Sequence, residues 1–275
     1  MLTDKERLQE LIQQEIKRRK KRNITIASIV LASICAIILF FTTFLPLIKK
    51  TTFIKRYGQE IYDMVGLVEE GEIIKFGKYE QDNNLENGKE DIEWIVLKVE
   101  KDRALVLSKY ALDAQPYHTK KTCVSWEYSS LRKWLNDDFL NNAFSEREQR
   151  FIPTVIVPEK QTPNNGNNVF STEDKIFLLS QDEVFDYFEP DANIEWYDLY
   201  RQFNPPDRGY CEPTAYAWAQ GMYVDDGHCR WWLYKGPQDF NGGQTPYFMR
   251  RRIGFADANT KYFGVRPALW IDLKP

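Results

Sequence analysis

The longest apolar stretch of the chain runs from Ile24 to Ile48 and contains no charged residue and no Asn, Gln or His. About 20 such residues suffice for a helix to cross the roughly 30 Å of hydrocarbon in a bilayer. A helix also satisfies every backbone polar group within the segment, as lipid requires of a single span. The pattern therefore predicts one transmembrane helix at residues 24–48.

Segments rich in Lys and Arg flank this stretch and predict its orientation. Residues 1–23 have apolar positions at helical spacing and contain the unbroken basic block 17–22, whereas the cluster at 49–56 is weaker. The cytoplasmic flank is usually the more basic one. We therefore expect a cytoplasmic amphipathic helix along the inner lipid surface and a C-terminal part outside the cell. A cleaved signal peptide is disfavoured, because its apolar core is normally only about 7–15 residues long.

Beyond a connector at residues 49–71, short apolar runs alternate with polar loops over residues 72–275. The runs 92–100 and 103–111 are rich in Val, Ile and Leu and flank a short polar link, which predicts an antiparallel hairpin buried on both faces. The closing run, KYFGVRPALWIDL, predicts one further strand. Short helices are predicted near residues 130–144, 145–152, 181–188 and 213–221. This order indicates an α+β domain.

Local capping signals mark the starts of three of these helices. In a capping box the hydroxyl of a Ser accepts from the backbone N–H of a Glu three residues later, whose carboxylate accepts in return from the Ser backbone N–H. The signals are the N-cap Ser129 or Ser130 and the capping boxes Ser145–Glu148 and Ser180–Glu183.

The charge of the chain is distributed unevenly. The whole chain carries −3 and the first 65 residues carry +6, so residues 66–275 carry −9. Nucleic acid requires a basic surface, and we exclude it as a partner. Of the four cysteines, Cys35 lies in the apolar stretch. Two interpretations of the others stay open: a Cys211–Cys229 disulfide outside the cell, with Cys123 left over, or three small buried thiols.

Six segments occur in one order along residues 72–273. They are IEWIVLKVEKDRALVLSKYALDAQPY, TCVSWEYSSLRKWLNDDFLNNAFSEREQ, DKIFLLSQDEVFDYF, CEPTAYAWAQG, CRWWLYKG and FGVRPALWIDL. In these motifs the chain resembles the bacterial domain-of-unknown-function family 6273. The resemblance implies a domain with a small twisted antiparallel sheet, similar to the C-type-lectin-like and formylglycine-generating-enzyme folds. The chain departs from the family pattern at residues 234–237, where Tyr-Lys-Gly-Pro stands in place of Arg-Ser-Pro-Gly.

Two constellations with catalytic or zinc-binding chemistry are weak. His118 and Cys123 would form a nucleophile pair oriented by Asp113, but no known local signature surrounds Cys123. The two later cysteines together with His228 lack the ligand spacing of a zinc site. We therefore predict no catalytic residue and no metal ligand from these groups.

The family resemblance suggests two further ligands, which the sequence supports poorly. The segment 189–191, Glu-Pro-Asp, resembles the calcium-binding signature of lectins, but its partner-like segment 134–137 stands on the wrong side of it along the chain. Formylglycine-generating enzymes bind copper through two closely spaced cysteines, whereas Cys211 and Cys229 are eighteen residues apart. We therefore predict no cofactor, and the resemblance implies fold rather than activity.

Aromatic residues are the main candidates for ligand binding. Trp231 and Trp232 are chosen, because consecutive strand residues face opposite sides and one ring is expected to emerge at the surface. Arg266 lies within the closing strand, where a charge must pair or reach a cleft; a buried structural role is favoured over a ligand clamp. Three other tryptophans fall in apolar patterns and are predicted to lie in the core: Trp94, Trp134 and Trp270.

Together these observations predict a single-pass protein of the cell membrane with a cytoplasmic N-terminus and an extracytoplasmic lectin-like domain. The domain is expected to bind a glycan or a protein at the cell surface, and membrane lipid contacts residues 24–48. Two alternatives remain: an enzyme related to the formylglycine-generating oxidases with an altered site, and a transmembrane sensor that signals to residues 1–23.

Overall fold

A computed structural model describes residues 4–159, 170–188, 211–234, 244–249 and 252–274. The chain divides into two compact units, Met1–Arg56 and Tyr57–Pro275. The boundary lies inside the segment 49–71 that the sequence predicts as a connector. The N-terminal unit is helical, and all described strands belong to the C-terminal unit.

Helix follows helix without interruption through the N-terminal unit. Helix α1 (Asp4–Leu39) continues through a π-helical turn (Phe40–Phe44) into α2 (Leu45–Tyr57). The stretch Gln13–Tyr57 is long and apolar enough to span a membrane. A transmembrane helix is thus supported by length and composition, but the helix does not end near Ile48 as the apolar pattern suggests, because Lys and Thr continue it at little cost in propensity.

The π-helical turn lies directly before Pro46. A proline has no backbone N–H and cannot donate to the carbonyl four residues earlier. The backbone widens at this point, and the N–H of Leu45 donates to the carbonyl of Phe40, five residues back. The sequence places Pro46 near the end of the apolar stretch, and the structure accommodates it by a wider turn rather than by ending the helix.

The C-terminal unit contains six short helices and fourteen strands in the described residues. The helices are α3 (Gln59–Val65), α4 (Ser130–Trp134), α5 (Leu140–Ala143), α6 (Glu146–Gln149), α7 (Gln181–Phe188) and α8 (Ala215–Ala219). The strands are β1 (Ile73–Tyr79), β2 (Glu90–Glu100), β3 (Arg103–Ser108), β4 (Asp113–Ala114), β5 (Val155–Glu159), β6 (Phe170–Asp174), β7 (Ile176–Phe177), β8 (Val224–Asp225), β9 (His228–Cys229), β10 (Trp231–Trp232), β11 (Gln244–Met249), β12 (Arg252–Asp257), β13 (Gly264–Val265) and β14 (Ala268–Asp272). This content confirms an α+β domain.

The first sheet is antiparallel, and its five strands lie in the order β1, β2, β3, β14, β7. It contains the hairpin β2–β3 that the sequence predicts. Every residue of β3 after Arg103 is buried, as its unbroken apolar run indicates. In β2 buried residues alternate instead with partly exposed ones over the first half of the strand, so this strand is covered mainly on one face.

The second sheet has the order β12, β11, β10, β13, β4 and pairs β10 with β13 in parallel. The predicted closing strand is therefore wrong as a single element: β13 belongs to this sheet and β14 to the first. Arg266 and Pro267 separate them, and Pro267 cannot donate to a strand ladder. Gly264 allows the close packing here, since a Cβ at this residue would lie 2.8 Å from the Cβ of Ala111.

The predicted capping signals are confirmed. The Ser129 hydroxyl accepts from the backbone N–H of Arg132 at 3.1 Å and begins α4. Both predicted Ser–Glu boxes form and begin α6 and α7. The predicted helix over residues 130–144 is broken by a π-helical turn at Leu135–Phe139. Helix α8 begins after the N-cap Thr214, whose hydroxyl accepts from the N–H of Ala217.

The core of the domain is rich in aromatic side chains. Four tryptophans are fully buried: Trp94, Trp126, Trp231 and Trp232. The Trp94 indole N–H donates to the carbonyl of Phe76 at 2.7 Å, so its polar atom is satisfied inside the core. The core prediction holds for Trp94 but is wrong for Trp134 and Trp270, which are half-buried. Trp270 instead packs its ring against the guanidinium of Arg103, 4.2 Å from the ring centre.

Candidate functional site

Arg266 lies where the chain passes between the two sheets. The chain makes this passage directly, with no other strand in between, twice: once between β3 and β4 and once between β13 and β14. The Nε of Arg266 donates to the carbonyl of Ser108 at 2.8 Å, and Nη2 donates to the carbonyl of Lys109 at 3.4 Å. Both carbonyls belong to the first passage, so the guanidinium joins the two passages.

The side chain of Arg266 is fully buried. Its guanidinium lies 5.0 Å from the ring centre of Trp231 and 5.8 Å from that of Phe188. Burial lowers the pKa of Arg266, while the nearby sulfur atoms of Cys211 and Cys229 act in the opposite direction. These contacts agree with a structural role. A ligand would reach Arg266 only if the covering elements opened, and its assignment to ligand binding stays a prediction.

Cys211 and Cys229 are brought together beside Arg266. The backbone N–H of Cys229 donates to the carbonyl of Cys211 at 2.8 Å, and the Cys229 thiol lies 3.2 Å from the same oxygen. Both side chains are buried, and both thiols are free. The two cysteines are thus neighbours in space although they are eighteen residues apart in the sequence. This proximity favours the predicted disulfide, which stays a prediction.

The two thiols differ in acidity. Burial raises the pKa of Cys211, but a hydrogen bond from Cys229 and the charge of Arg266 outweigh it, so this pKa lies below its ordinary value. The pKa of Cys229 is raised well above its usual range by the hydrogen bond with Cys211 and by burial. A thiolate is the species that begins disulfide formation, and the lower pKa makes Cys211 the member of the pair that forms it more readily.

Trp231 and Trp232 face opposite sides of β10, as the sequence predicts. The Trp232 ring packs on Phe263 at 4.6 Å, and its N–H donates to the carbonyl of Gln115 at 2.9 Å. Neither ring emerges at the surface, which corrects the expectation of one exposed face: both residues have no exposed surface. The opposite face of the strand is covered by Arg266 and α7. A role of Trp231 and Trp232 in ligand binding therefore stays a prediction.

An exposed aromatic surface lies on the neighbouring segments instead. We call Tyr223, Tyr262 and Arg230 the aromatic surface. Tyr223 is 51% exposed and Tyr262 is 46% exposed, and their ring centres are 6.5 Å apart. The guanidinium of Arg230 lies 5.5 Å from the ring centre of Tyr223. The backbone N–H of Tyr223 donates to the carbonyl of Tyr262 at 3.0 Å, which fixes the spacing of the pair.

The hairpin β8–β9 connects this surface to the buried thiols. Its turn contains Asp226 and Gly227, both with positive φ, 52° and 78°. Such a turn suits Asp-Gly, because glycine has no Cβ to clash there. At the end of the hairpin the buried Cys229 lies beside Cys211, and the next residue, Arg230, belongs to the aromatic surface and contacts the ring of Tyr223. A Cys211–Cys229 bond would therefore hold the base of the hairpin that positions Arg230.

The weak constellations are not assembled in the described residues. Asp113 accepts from the hydroxyl of Tyr79 at 2.6 Å, whereas the Nδ1 of His118 accepts from the backbone N–H of Ser130. Asp113 therefore does not orient His118, and burial raises the pKa of this carboxyl. His228 and the buried Cys229 are consecutive strand residues and face opposite sides. The lectin-like segment 189–191 lies outside the described residues.

A family model described as a domain of unknown function matches residues 101–273. No curated protein and no solved structure matches the chain. The matched range includes both buried cysteines, Arg266 and the aromatic surface, and it leaves out β1 and β2. Because this range covers more than half of the 275 residues, the chain belongs to the domain of unknown function family DUF6273.

Proposed function

We propose that this chain is a single-pass membrane protein whose C-terminal, C-type-lectin-like domain binds a ligand outside the cell. The observation that carries the proposal is the exposed Tyr223–Tyr262 pair with the Arg230 guanidinium beside it. Paired aromatic rings at a surface are typical of binding sites, because they combine flat apolar faces with polar tips.

A glycan is the ligand class that this surface favours over a protein. Sugar rings present flat C–H faces to tyrosine rings, and their hydroxyl groups accept hydrogen bonds from a guanidinium. A backbone hydrogen bond already holds the Tyr223 and Tyr262 segments side by side, so a ligand need not bring the two segments together. The net charge of −9 on residues 66–275 disfavours strongly anionic polymers as ligands.

The orientation proposed for the domain rests on the unequal basic flanks. The block at residues 17–22 is the more basic one and belongs on the cytoplasmic side. The C-terminal unit would then face the cell exterior, where cell-wall glycan is accessible. An oxidising exterior would also favour the disulfide between the two touching thiols.

Binding of the purified full-length protein in detergent to insoluble cell-wall glycan tests the proposal. We expect Tyr223→Ala and Tyr262→Ala each to weaken saturable binding by about tenfold, since a stacked ring contributes on the order of 1–1.5 kcal/mol. Tyr128→Ala is the matched control, because Tyr128 is a tyrosine that is 70% exposed and lies on another segment.

Unchanged binding in both aromatic-surface variants would contradict the proposal, as would the absence of binding to any glycan or surface protein by the folded wild type. Saturable retention of a surface protein, lost in the same two variants, would place protein rather than glycan at this surface. An equal loss in Tyr128→Ala would show that the effect is not specific to Tyr223 and Tyr262.

The contact between the two thiols favours one second candidate, an enzyme related to the formylglycine-generating oxidases. Such an enzyme would use Cys211 and Cys229 together, and the structure brings them into contact beside Arg266. Their burial disfavours it, because a substrate has no path to either sulfur without an opening of the domain. Copper bound by the pair would support this candidate, and full function of a Cys211→Ser/Cys229→Ser variant would contradict it.

A further inference from the structure

Three carboxylates converge at one end of the first sheet. Glu80 directly follows β1, Glu90 begins β2, and Asp82 lies in the loop between them. One ligand oxygen from each of the three lies within 4.8 Å of the others. In the described residues this is the one group of three or more acidic, His or Cys side chains with such spacing.

Glu80 distinguishes this group from an ordinary acidic loop. Its side chain is buried, with 8% of the residue exposed, and its Oε1 atom has no hydrogen-bond partner. Burial of a charged oxygen without a donor is costly, and native proteins rarely leave one unsatisfied. The carboxylate is directed toward Asp82 and Glu90, the two groups that should repel it most.

No basic side chain compensates this charge in the part of the chain that the structure describes. The nearest lysines along the chain, Lys75 and Lys78, pair with Asp91, and Lys89 hydrogen-bonds to Asn142. Burial raises the pKa of Glu80, as do the charge of Glu90 and the hydrogen bond and charge of Asp82, whereas the backbone N–H of Asn84 lowers it. A bound cation would relieve the repulsion among the three carboxylates, and the described residues place no lysine or arginine beside them to do so.

The loop holds the other two carboxylates in fixed positions. Asp82 accepts from the backbone N–H of Asn84 and from the side-chain amide of Asn87, both at 2.7 Å. Glu90 accepts through Oε2 from the backbone N–H of Gln81 at 2.7 Å. Each Asp82 oxygen accepts one of these bonds and retains a second lone pair. Glu90 Oε2 also accepts from the backbone N–H of Asp82 at 3.3 Å, so Oε1 is the Glu90 oxygen that remains for a ligand.

Helix α8 packs against the same loop. The backbone N–H of Tyr216 donates to the carbonyl of Gln81 at 3.0 Å. Burial raises the pKa of Tyr216, and the charges of Asp113 and Glu80 raise it further. The loop is thus fixed both to the hairpin β1–β2 and to the helix that follows Cys211.

We propose that Glu80, Asp82 and Glu90 bind one divalent cation, and that this cation is Ca²⁺. All three ligands are hard oxygen donors, which suit Ca²⁺ or Mg²⁺ and exclude a thiolate- or imidazole-type zinc site. Ca²⁺ accepts irregular arrangements of six to eight oxygens and completes them with water, whereas Mg²⁺ requires near-ideal octahedral geometry. Here two carboxylates come from strand ends and one from a turn. Such an irregular set of ligands suits Ca²⁺ better than Mg²⁺.

Thermal unfolding of the full-length protein in detergent tests this site, with Ca²⁺, Mg²⁺ or K⁺ added at matched ionic strength. For the wild type we expect Ca²⁺ at about a hundred times its Kd to raise Tm by about 5–10 °C, with a smaller rise for Mg²⁺ and none for K⁺. Calorimetric titration with Ca²⁺ should show one site per chain.

Glu80→Gln separates metal binding from simple stability. The variant removes the buried charge, so its Tm without Ca²⁺ should equal or exceed that of the wild type, while its response to Ca²⁺ is lost. Glu86→Gln is the control, because Glu86 lies in the same loop but outside the three-carboxylate group. We expect Glu86→Gln to respond to Ca²⁺ as the wild type does.

Four outcomes would overturn the proposal. Absence of Ca²⁺ binding by the folded wild type would remove the site, and an equal rise in Tm with K⁺ would reduce the effect to charge screening. A Ca²⁺ response that survives in Glu80→Gln would place the cation elsewhere. An equal response to Mg²⁺ would overturn the assignment to Ca²⁺. Each outcome is independent of glycan binding at the aromatic surface.

Discussion

Replacement of Arg266 by Met is expected to lower the free energy of unfolding by about 3–5 kcal/mol. Met fills much of the volume but donates no hydrogen bond, so the carbonyls of Ser108 and Lys109 lose a buried donor. The Cys211 sulfur also loses the positive charge that favours its thiolate. Urea-induced unfolding of the purified protein, followed by tryptophan fluorescence, measures the change.

Two variants make this measurement specific to Arg266. Arg266→Lys retains the charge but lacks the guanidinium fork, so we expect an intermediate loss of stability. Arg230→Met removes a half-buried arginine between β9 and β10 and should cost less than about 1 kcal/mol. Wild-type stability of Arg266→Met would contradict the role of Arg266 in joining the two passages between the sheets.

Replacement of Asp174 by Ala is expected to cost a similar 3–5 kcal/mol, because Asp174 is the centre of a buried network. Its carboxylate accepts from the Trp126 indole at 2.9 Å, from the Thr172 hydroxyl at 2.6 Å and from the Nε of Arg132 at 2.6 Å. Ala leaves three donors unsatisfied and one arginine without its counter-ion. The same urea titration measures the loss.

The neighbouring Glu173 supplies the matched control for Asp174. Its side chain is exposed, so Glu173→Ala removes the same charge from the same strand without disturbing the network. We expect a change within about 0.5 kcal/mol for this variant. A cost for Glu173→Ala as large as that for Asp174→Ala would show that general charge, rather than the buried network, stabilises this region.

Features that depend on a few neighbouring residues could be predicted from the sequence. Both Ser–Glu capping boxes form, and so does the hairpin β2–β3, since short-range hydrogen bonds and apolar runs specify them. The division of the closing segment, residues 261–273, into two strands could not be predicted in this way. Its division at Arg266–Pro267 depends on pairing of β13 with β4, roughly 150 residues earlier, and no local pattern encodes that pairing.

The candidate site could be predicted only in part, because it too depends on contacts between residues that are far apart in the sequence. Cys211, Cys229, Arg266 and Trp231 are adjacent in the folded domain, but strand alternation alone does not tell whether either face of a strand reaches solvent. Both faces of β10 are covered, and the exposed rings belong to neighbouring segments. The Asp226-Gly227 pair is the sequence signal from which a hairpin here could have been predicted.

The group of Glu80, Asp82 and Glu90 could not be predicted from the sequence either. Its loop reads in the sequence as a polar, Asn- and Gly-rich connection, and such loops are ordinarily solvated. Only the packing of α8 and the hairpin β1–β2 shows that Glu80 is buried. Burial is a tertiary property, so composition could not distinguish Glu80 from the exposed Glu86.

The side of the membrane on which the domain lies can be measured directly through Cys123. This cysteine is exposed, whereas Cys211 and Cys229 are buried and Cys35 lies in the apolar helix. A membrane-impermeant maleimide applied to intact cells should label the wild-type chain, and Cys123→Ser should abolish the labelling. Labelling of the wild type only after the cells are lysed would place the domain in the cytoplasm and contradict the display of a binding surface outside the cell.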